Sequence, residues 1–214
     1  MSTFEAQPRQ LGAVILAGGR GTRLPAKCFR MLGDRGLIVH VFERISQVTQ
    51  EIVVAVKDTE QASAARQLLP AAWIVLDGDK SESPLVGFLS ALRVITTPYV
   101  FAAPCDTPFI EPNVIRLLLK HALGNDGAIP INEDKMAEPL CAIYRRESAL
   151  KAARNSIESG SKSMADVLAR LAMVMRVPAD DIRKVDPGLL TFRNINTEQD
   201  LRWASQFVKK YGRG

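Results

Sequence analysis

Short apolar runs alternate with amphipathic segments along the first half of the chain. The run 12–17 (GAVILA) is continuously apolar, which is typical of a strand that is buried on both faces. The segment 38–48 that follows has its apolar residues at helical spacing. The same alternation continues and predicts strands at 51–56, 73–77 and 99–104 and helices at 59–69, 83–95 and 112–123.

The second half is less regular but contains the same two kinds of element. It predicts strands at 126–131, 138–146 and 191–195 and helices at 147–157, 163–174 and 197–211. Because continuously apolar strands alternate with helices, the sheet is expected to be mostly parallel and covered on both faces. The chain is therefore predicted to be a single three-layer α/β domain with a mostly parallel, mixed, Rossmann-like sheet, after a short tail at residues 1–11.

Composition narrows the class of protein. Hydrophobic residues make up 47% and charged residues 24% of the 214 residues, as in soluble globular proteins. No apolar run approaches the roughly 18 residues of a membrane span, and the first ten residues lack the apolar core of a secretion signal. We therefore expect a cytoplasmic protein that does not bind a membrane.

The cysteines are few and widely spaced. The chain has three, Cys28, Cys105 and Cys141, and none of them forms a C-x-x-C pair. This odd number and wide spacing argue against a disulfide framework and against a cysteine-based zinc site. We accordingly expect reduced thiols in a reducing compartment.

Positive charge is concentrated near the start of the chain. The net charge is +5, and part of the excess lies at Arg20, Arg23, Lys27, Arg30 and Arg35. No lysine–arginine block is present and aromatic residues are only 6%, so the pattern favours a compact polyphosphate ligand over nucleic acid. A nucleic-acid binder inferred from charge alone would instead show strongly salt-dependent binding.

The segment 14–27 (VILAGGRGTRLPAK) joins the first strand to these glycines and basic residues. It lacks the spacing of a Walker A loop, and Leu24 stands where a dinucleotide-binding loop has its third glycine. Glycines let backbone N–H groups approach an anion closely, and Arg23 and Lys27 follow at short distance. The segment therefore predicts a phosphate-binding loop. The alternative is an ordinary tight turn with exposed basic side chains.

Small or polar residues follow four of the predicted strands. The sequences are AGGRGTR, LDGDKSESP, APCDTP and FRNINT. Ligands of parallel α/β sheets bind outside the carboxyl ends of the strands. These four segments are therefore expected to meet around one binding site.

Several motifs together resemble those of a known enzyme family. The loop LAGGRGTRL…K resembles the signature loop of nucleotidyltransferases, which move a nucleoside monophosphate from a triphosphate onto a phosphorylated acceptor. The segments SPLVGFLSAL, PCDTPFI, EPLCAIYRR and FRNINTEQDL resemble, in order and rough spacing, segments of the molybdenum cofactor guanylyltransferases (MobA-like nucleotidyltransferases). The matches extend from Gly12 to Leu201, and the last three are more specific than the loop.

This resemblance implies a reaction and a set of site residues. A phosphate oxygen of molybdopterin would attack the α-phosphorus of GTP, giving molybdopterin guanine dinucleotide and pyrophosphate, with Mg²⁺ as cofactor. Arg23 and Lys27 would hold the triphosphate, and Asp106 would bind Mg²⁺. Asp77 would recognise the nucleoside, and Asn194 and Asn196 would contact the acceptor phosphate or the metal. The other nucleotide-binding residues would be Leu16, Ala17, Gly18, Gly19, Gly21 and Thr22.

The resemblance also implies that different parts of the chain bind the two substrates. Residues 12–214 would form one nucleotidyltransferase domain, with a nucleotide-binding part at 12–110 and an acceptor-binding part at 111–214. GTP and molybdopterin would be the small-molecule substrates. Transient contact with proteins that deliver or receive the cofactor is expected, whereas nucleic acid and membrane are not expected partners.

Departures from the family pattern leave the nucleobase and the acceptor open. The link between Arg23 and Lys27 is shorter than usual, and Lys57 and Asp58 follow the second strand where an asparagine is common. Ser83 replaces a glycine and Glu138 a glutamine. The alternatives are a molybdopterin cytidylyltransferase, a cobinamide-phosphate or phospholactate guanylyltransferase, a sugar-phosphate nucleotidyltransferase, or a nucleotide-binding module without activity.

Several of these residues also have a purely structural interpretation. Asp77 and Asp106 follow strands, where aspartate often caps a turn. Thr197 is interpreted as a helix cap paired with Asp200. Cys105 is predicted to be a small packed side chain. The segment 158–168 (ESGSKSMADVL) could present Lys162 and Ser163 to an acceptor phosphate, but the favoured interpretation is a loop with a helix cap.

Overall fold

The computed structural model describes residues 10–18, 26–77 and 83–211. Strand β1 (Leu11–Leu16), an interior strand of the main sheet, is buried along its whole length. Alternate side chains of this strand point to opposite faces, so that Ala13 and Ile15 enter one core while Val14 and Leu16 enter another. This double burial explains the continuous apolar run in the sequence.

Within the described residues, seven strands form one mixed sheet, in the order β5-β4-β1-β6-β8-β7-β9. Pairing is parallel from β5 to β6 and between β7 and β9, whereas β8 runs antiparallel to both of its neighbours. The strands after β1 are β4 (Ile52–Val56), β5 (Trp73–Leu76), β6 (Tyr99–Pro104), β7 (Gly127–Ile131), β8 (Ala142–Arg145) and β9 (Val174–Pro178), and the pair β2 (Met31–Leu32) and β3 (Arg35–Gly36) forms a separate hairpin.

Helices cover both faces of the sheet, as the sequence predicts. The helices are α1 (Leu37–Ser46), α2 (Thr59–Leu68), α3 (Pro84–Leu92), α4 (Pro112–Ala122), α5 (Arg146–Glu158), α6 (Met164–Ala169), α7 (Ala179–Arg183) and α8 (Glu198–Tyr211). Side chains of α1, α2 and α4 pack on the face of Ala13 and Ile15. Side chains of α3, α5 and α6 pack on the opposite face. None of the helices in the described ranges is both long and apolar enough to cross a membrane.

Polar caps begin several helices where the sequence predicts them. Ser83 precedes α3, and its hydroxyl accepts a hydrogen bond from the Leu85 amide. Before α8, the Asp200 carboxylate accepts hydrogen bonds from the Thr197 amide and hydroxyl, and the Thr197 hydroxyl accepts one from the Asp200 amide. The interpretation of Thr197 as a helix cap is therefore confirmed, as is that of Ser163, which accepts from the Ala165 amide.

The predicted helix at 163–174 is too long. It ends at Ala169, and Val174 begins strand β9. The Asp126 carboxylate accepts hydrogen bonds from the amides of Ala172 and Met173 and so holds the chain in a turn between the two elements. This long-range contact is invisible in the local apolar pattern, which continues through the turn.

The predicted strand at 191–195 is wrong. Leu190–Phe192 forms a 3-10 turn that begins after Leu189, a residue with φ of 49°. The Asp186 carboxylate accepts hydrogen bonds from the amides of Leu190 and Thr191 and closes this turn. Asn194 follows the turn in irregular structure and not at the end of a strand.

The expectation of separate, reduced cysteines is also wrong. Cys28 and Cys105 form a disulfide across 77 positions of sequence. Cys105 is a packed core residue, as predicted, but its sulfur is also covalently bonded, which was not predicted. The sheet brings them together, because Cys105 directly follows β6, the parallel neighbour of β1, and its amide donates to the Leu16 carbonyl oxygen. Spacing in the sequence carries no trace of this proximity. Cys141 is a buried free thiol.

Candidate active site

A cavity of about 340 Å³ opens at the carboxyl ends of β1, β4, β5 and β6. This is the position expected for a ligand of a parallel α/β sheet. Its wall combines the end of β1 with the segment before β8 and with residues in and after the 3-10 turn Leu190–Phe192. Of the predicted site residues, those lining it are Leu16, Ala17, Gly18, Lys27, Asp77, Asp106 and Asn194.

Lys27, Asp106 and Asn196 form a polar cluster at this cavity. Lys27 Nζ lies 2.5 Å from Asp106 Oδ2 and 2.9 Å from Asn196 Oδ1. The Asp106 carboxylate is almost fully buried, with its side chain 7% exposed. Because a buried carboxylate is costly without a partner, the contact with the Lys27 ammonium group offsets part of the cost of burying Asp106.

Backbone contacts position each member of this cluster. Ala26, with φ of 50°, leads into the 3-10 turn Lys27–Phe29 and so orients Lys27. Asp106 lies just beyond β6, and its carbonyl oxygen accepts a hydrogen bond from the Ile195 amide. The backbone N–H of Asn196 in turn donates to the Asp200 carboxylate at the start of α8. Residues far apart in sequence are thereby held around one point.

The Asp77 carboxylate lies between two glycines. A Cβ atom on Gly18 would be 2.5 Å from Asp77 Oδ2, and one on Gly87 would be 2.7 Å from Asp77 Oδ1. Burial raises the pKa of Asp77 to about 6. Among the described residues, Asp77 Oδ1 has no hydrogen-bond partner. A buried acceptor without a donor, at the edge of a cavity, is suited to a ligand that carries N–H or O–H groups.

Some predicted residues fall outside the described ranges. These are Gly19, Gly21, Thr22 and Arg23. Of the two predicted asparagines, Asn194 lines the cavity, whereas Asn196 accepts a hydrogen bond from Lys27. The structure thus brings together predicted residues from each of the strand ends that it describes.

Other cavity residues were not predicted from the sequence. Gln61 and Phe192 line the cavity, as do Gly87 and the three cysteines. Gln61 lies in the first turn of α2, where its Oε1 accepts a hydrogen bond from the Lys57 amide beside the cavity. Helical spacing marks Gln61 only as a surface position, so its place could be found only from the packing of α2 beside β4.

The MobA-like NTP transferase domain matches this chain over residues 13–174. A probable molybdenum cofactor guanylyltransferase from Methanosarcina mazei is 32% identical over 196 residues, covering 88% of this chain and 87% of that protein. A molybdenum cofactor guanylyltransferase from Desulfosudis oleivorans is 30% identical over 199 residues and covers 92% and 95%.

The fold has a similar counterpart among crystal structures. Molybdopterin-guanine dinucleotide biosynthesis protein A from Archaeoglobus fulgidus superposes with a TM-score of 0.80 at 31% identity, covering 93% of this chain and 99% of that one. The predicted α/β fold with a mostly parallel sheet is confirmed by this match and by the strand order.

Proposed function

Because the chain belongs to the MobA-like NTP transferase family, we propose that it transfers GMP from GTP to the phosphate of molybdopterin. The chain is a nucleotidyltransferase, and relatives that match most of its length are molybdenum cofactor guanylyltransferases. The single observation that carries the proposal is the cluster of Lys27, Asp106 and Asn196, of which Lys27 and Asp106 line the cavity at the strand ends.

The reaction joins two anions, so neutralising charge is its main requirement. An oxygen of the molybdopterin phosphate attacks the α-phosphorus of GTP, and the bond to the bridging oxygen of pyrophosphate breaks. Lys27 exchanges Asp106 for the phosphate oxygens and stabilises the charge that develops on the leaving pyrophosphate. Arg23, four positions earlier in the same loop, is proposed to hold the other phosphates.

The residues present fit a magnesium ion. Mg²⁺ is usually held by one or two carboxylates together with water and substrate phosphates, and Asp106 supplies one buried carboxylate at the cavity. Asn194 and Asn196 offer amide oxygens nearby. When bound, the metal would neutralise part of the negative charge of the reacting phosphates.

Asp77 is proposed to bind the nucleoside. Its Oδ1 has no hydrogen-bond partner among the described residues and is therefore available as an acceptor. Guanine presents the N1–H and N2–H donors that such a carboxylate binds. Gly18 and Gly87 leave room for the carboxylate to lie close to the backbone of the cavity wall. We propose residues 12–110 as the nucleotide-binding part and 111–214 as the part that receives molybdopterin.

No protein nucleophile is needed for this reaction. The described free thiol in the cavity is Cys141, and burial raises its pKa, so that it stays protonated. The acceptor phosphate is itself largely ionised at neutral pH, since phosphate monoesters have a second pKa near 6. Direct in-line transfer is therefore sufficient. A cytoplasmic location and contact with proteins that carry the cofactor remain predictions.

The test is pyrophosphate release from the full chain with Mg²⁺ and molybdopterin, comparing GTP, CTP and ATP. Release that is selective for GTP and is lost in Asp106→Ala supports the proposal. Selectivity for CTP would keep the mechanism and change the nucleobase. Absence of release with every triphosphate, while nucleotide still binds, would refute molybdopterin as the acceptor.

A further inference from the structure

The disulfide lies directly behind the two charged residues of the cluster. Cys28 follows Lys27, and Cys105 precedes Asp106. Both cysteines line the active-site cavity, although only 6% and 5% of their surfaces are exposed. The transfer reaction uses neither sulfur, so the pair requires another explanation.

We propose that Cys28 and Cys105 are a reversible redox modification site that controls the binding of magnesium and nucleotide. In the disulfide form Lys27 is held against Asp106, and in the dithiol form the two residues separate more easily. The inference rests on the proposed function, because it assigns Lys27 to the triphosphate and Asp106 to the metal.

The ion pair occupies the groups that the substrate needs. Lys27 Nζ donates to both Asp106 Oδ2 and Asn196 Oδ1, so these contacts engage two of the three N–H donors of the ammonium group. The carboxylate of Asp106 is equally committed to Lys27. Magnesium and triphosphate must therefore displace this contact before they bind. When the paired state cannot bind, the apparent affinity is the intrinsic affinity multiplied by the fraction of protein in the unpaired, binding-competent state.

The disulfide favours that paired state through the backbone. It fixes the Cα atoms of Cys28 and Cys105 at 5.4 Å, one residue away from Lys27 and Asp106. A short tether raises the effective concentration of one group at the other, so it strengthens the ion pair without a new contact. Reduction removes the tether, so Lys27 can bind the triphosphate and Asp106 the metal more easily.

The fold can accommodate the reduced form. The sulfur of Cys28 lies 3.5 Å from the carbonyl oxygen of Ala17, which would accept a hydrogen bond from the new thiol. The Cys105 amide keeps its bond to the Leu16 carbonyl oxygen, and β1 and β6 stay paired along their length. Reduction therefore loosens the segment around Lys27 without removing a sheet contact.

The chemistry is ordinary thiol–disulfide exchange with a small-molecule disulfide such as oxidised glutathione. One cysteine thiolate attacks a glutathione sulfur, breaks its S–S bond and releases one glutathione thiolate. The other cysteine then attacks the protein sulfur of the mixed disulfide and releases the second. The protein is oxidised by two electrons, and both thiol protons pass to the released glutathione. An excess of reduced glutathione reverses each step.

The experiment compares nucleotide binding in the two forms. The full chain is equilibrated at several ratios of reduced to oxidised glutathione, and free thiols are counted by alkylation after denaturation. One thiol is expected in the oxidised form and three in the reduced form. Binding of Mg²⁺ with the α,β-methylene analogue of GTP, which cannot transfer GMP, is measured on the same samples.

The reduced form is expected to bind this analogue roughly tenfold more tightly, a usual size for coupling between two sites. By reciprocity, saturating analogue should raise the reduction potential of the pair by about 30 mV, the equivalent of tenfold for two electrons. Cys28→Ser and Cys105→Ser should lose the redox response, whereas Cys141→Ser should keep it.

Three results would overturn the inference: three thiols at every glutathione ratio, equal affinity in both forms, or tighter binding by the disulfide form. Absence of binding in both forms would instead refute the proposed function and the coupling with it. The comparison of oxidised and reduced wild-type chain needs no substitution, so it stands even where a cysteine variant fails to fold.

Discussion

Lys27 Nζ lies 2.5 Å from Asp106 Oδ2, although 79 positions separate the two residues in sequence. Each group neutralises the other in the free protein, which makes the burial of Asp106 tolerable. In the proposed complex each takes a new partner of the same charge as the old one: phosphate replaces carboxylate at Lys27, and a cation replaces ammonium at Asp106. The Lys27–Asp106 ion pair therefore carries no net charge when neither metal nor nucleotide is bound.

Removing Lys27 separates its structural role from its chemical role. Lys27→Met should lower the rate of pyrophosphate release by about 100- to 1000-fold, the usual effect of losing one positioned donor to transition-state charge. It should also destabilise the protein by roughly 1–3 kcal/mol, because Asp106 keeps a buried charge without its partner. Release assays and urea denaturation measure the two effects.

The control for that prediction is the double variant Lys27→Met/Asp106→Asn. It removes the unpaired charge and should recover most of the stability while activity stays lost. A double variant as unstable as the single one would show that the ion pair does not explain the burial of Asp106.

The sequence predicts the sheet and most helices because their patterns are local. Continuous apolar runs mark β1, β4 and β6, and Ser83 with Pro84 marks the start of α3. Lys27, Asp77 and Asp106 could be predicted as neighbours because all follow parallel strands, whose carboxyl ends meet at one edge. The family motifs then gave these residues their proposed roles.

The errors have one common cause, which is contact between distant parts of the chain. Asp126 turns the chain after α6, and Asp186 closes the turn at Leu190, each by accepting backbone hydrogen bonds that local periodicity does not record. The disulfide likewise depends on the adjacency of β1 and β6 and not on cysteine spacing. The position of Asp77 between two glycines is visible only once α3 is packed against β4.

Asp77 should make stability and nucleotide binding depend on pH in opposite directions. Burial raises its pKa from 3.8 to about 6, so between these values the folded state binds the proton more tightly than the unfolded state does. The contribution of Asp77 to the free energy of unfolding therefore falls as pH rises from about 4 to 6. Binding of GTP, which needs the charged carboxylate, should strengthen over the same range.

Asp77→Asn should remove the contribution of Asp77 to both pH profiles and lower GTP affinity above pH 6 by about tenfold or more, the usual value of a hydrogen bond to a charged group. Denaturation of the free protein and nucleotide titration, each from pH 4 to 7.5, measure them. Parallel pH profiles for the variant and the wild type would contradict the assignment of the titration to Asp77.

Gly87→Ala should weaken GTP binding by disturbing Asp77. The new methyl group would lie 2.7 Å from Asp77 Oδ1 and 3.2 Å from the Ala55 Cβ, so the carboxylate has to move. Alanine favours a helix over glycine by about 1 kcal/mol, but overpacking of this kind costs about 1–3 kcal/mol. We expect a small net loss of stability and a clear loss of affinity.

Gly36→Ala is the matched control, since its nearest neighbour would be 3.7 Å away. Equal effects of the two variants on GTP affinity would exclude this role of Gly87.

Ser83→Ala should destabilise the protein more than removal of another serine cap. The Ser83 hydroxyl is buried, donates to the Lys162 carbonyl oxygen at 2.7 Å and accepts from the Leu85 amide at 3.2 Å. Its loss leaves both backbone groups without that partner and should cost about 1–3 kcal/mol.

Ser163 is the matched control, because its hydroxyl accepts from the Ala165 amide at the exposed start of α6, where an alanine costs about 1 kcal/mol. Urea denaturation midpoints at unchanged m-values compare the two variants. Equal losses would mean that the bond from Ser83 to the Lys162 carbonyl oxygen adds nothing to the stability beyond an ordinary helix cap.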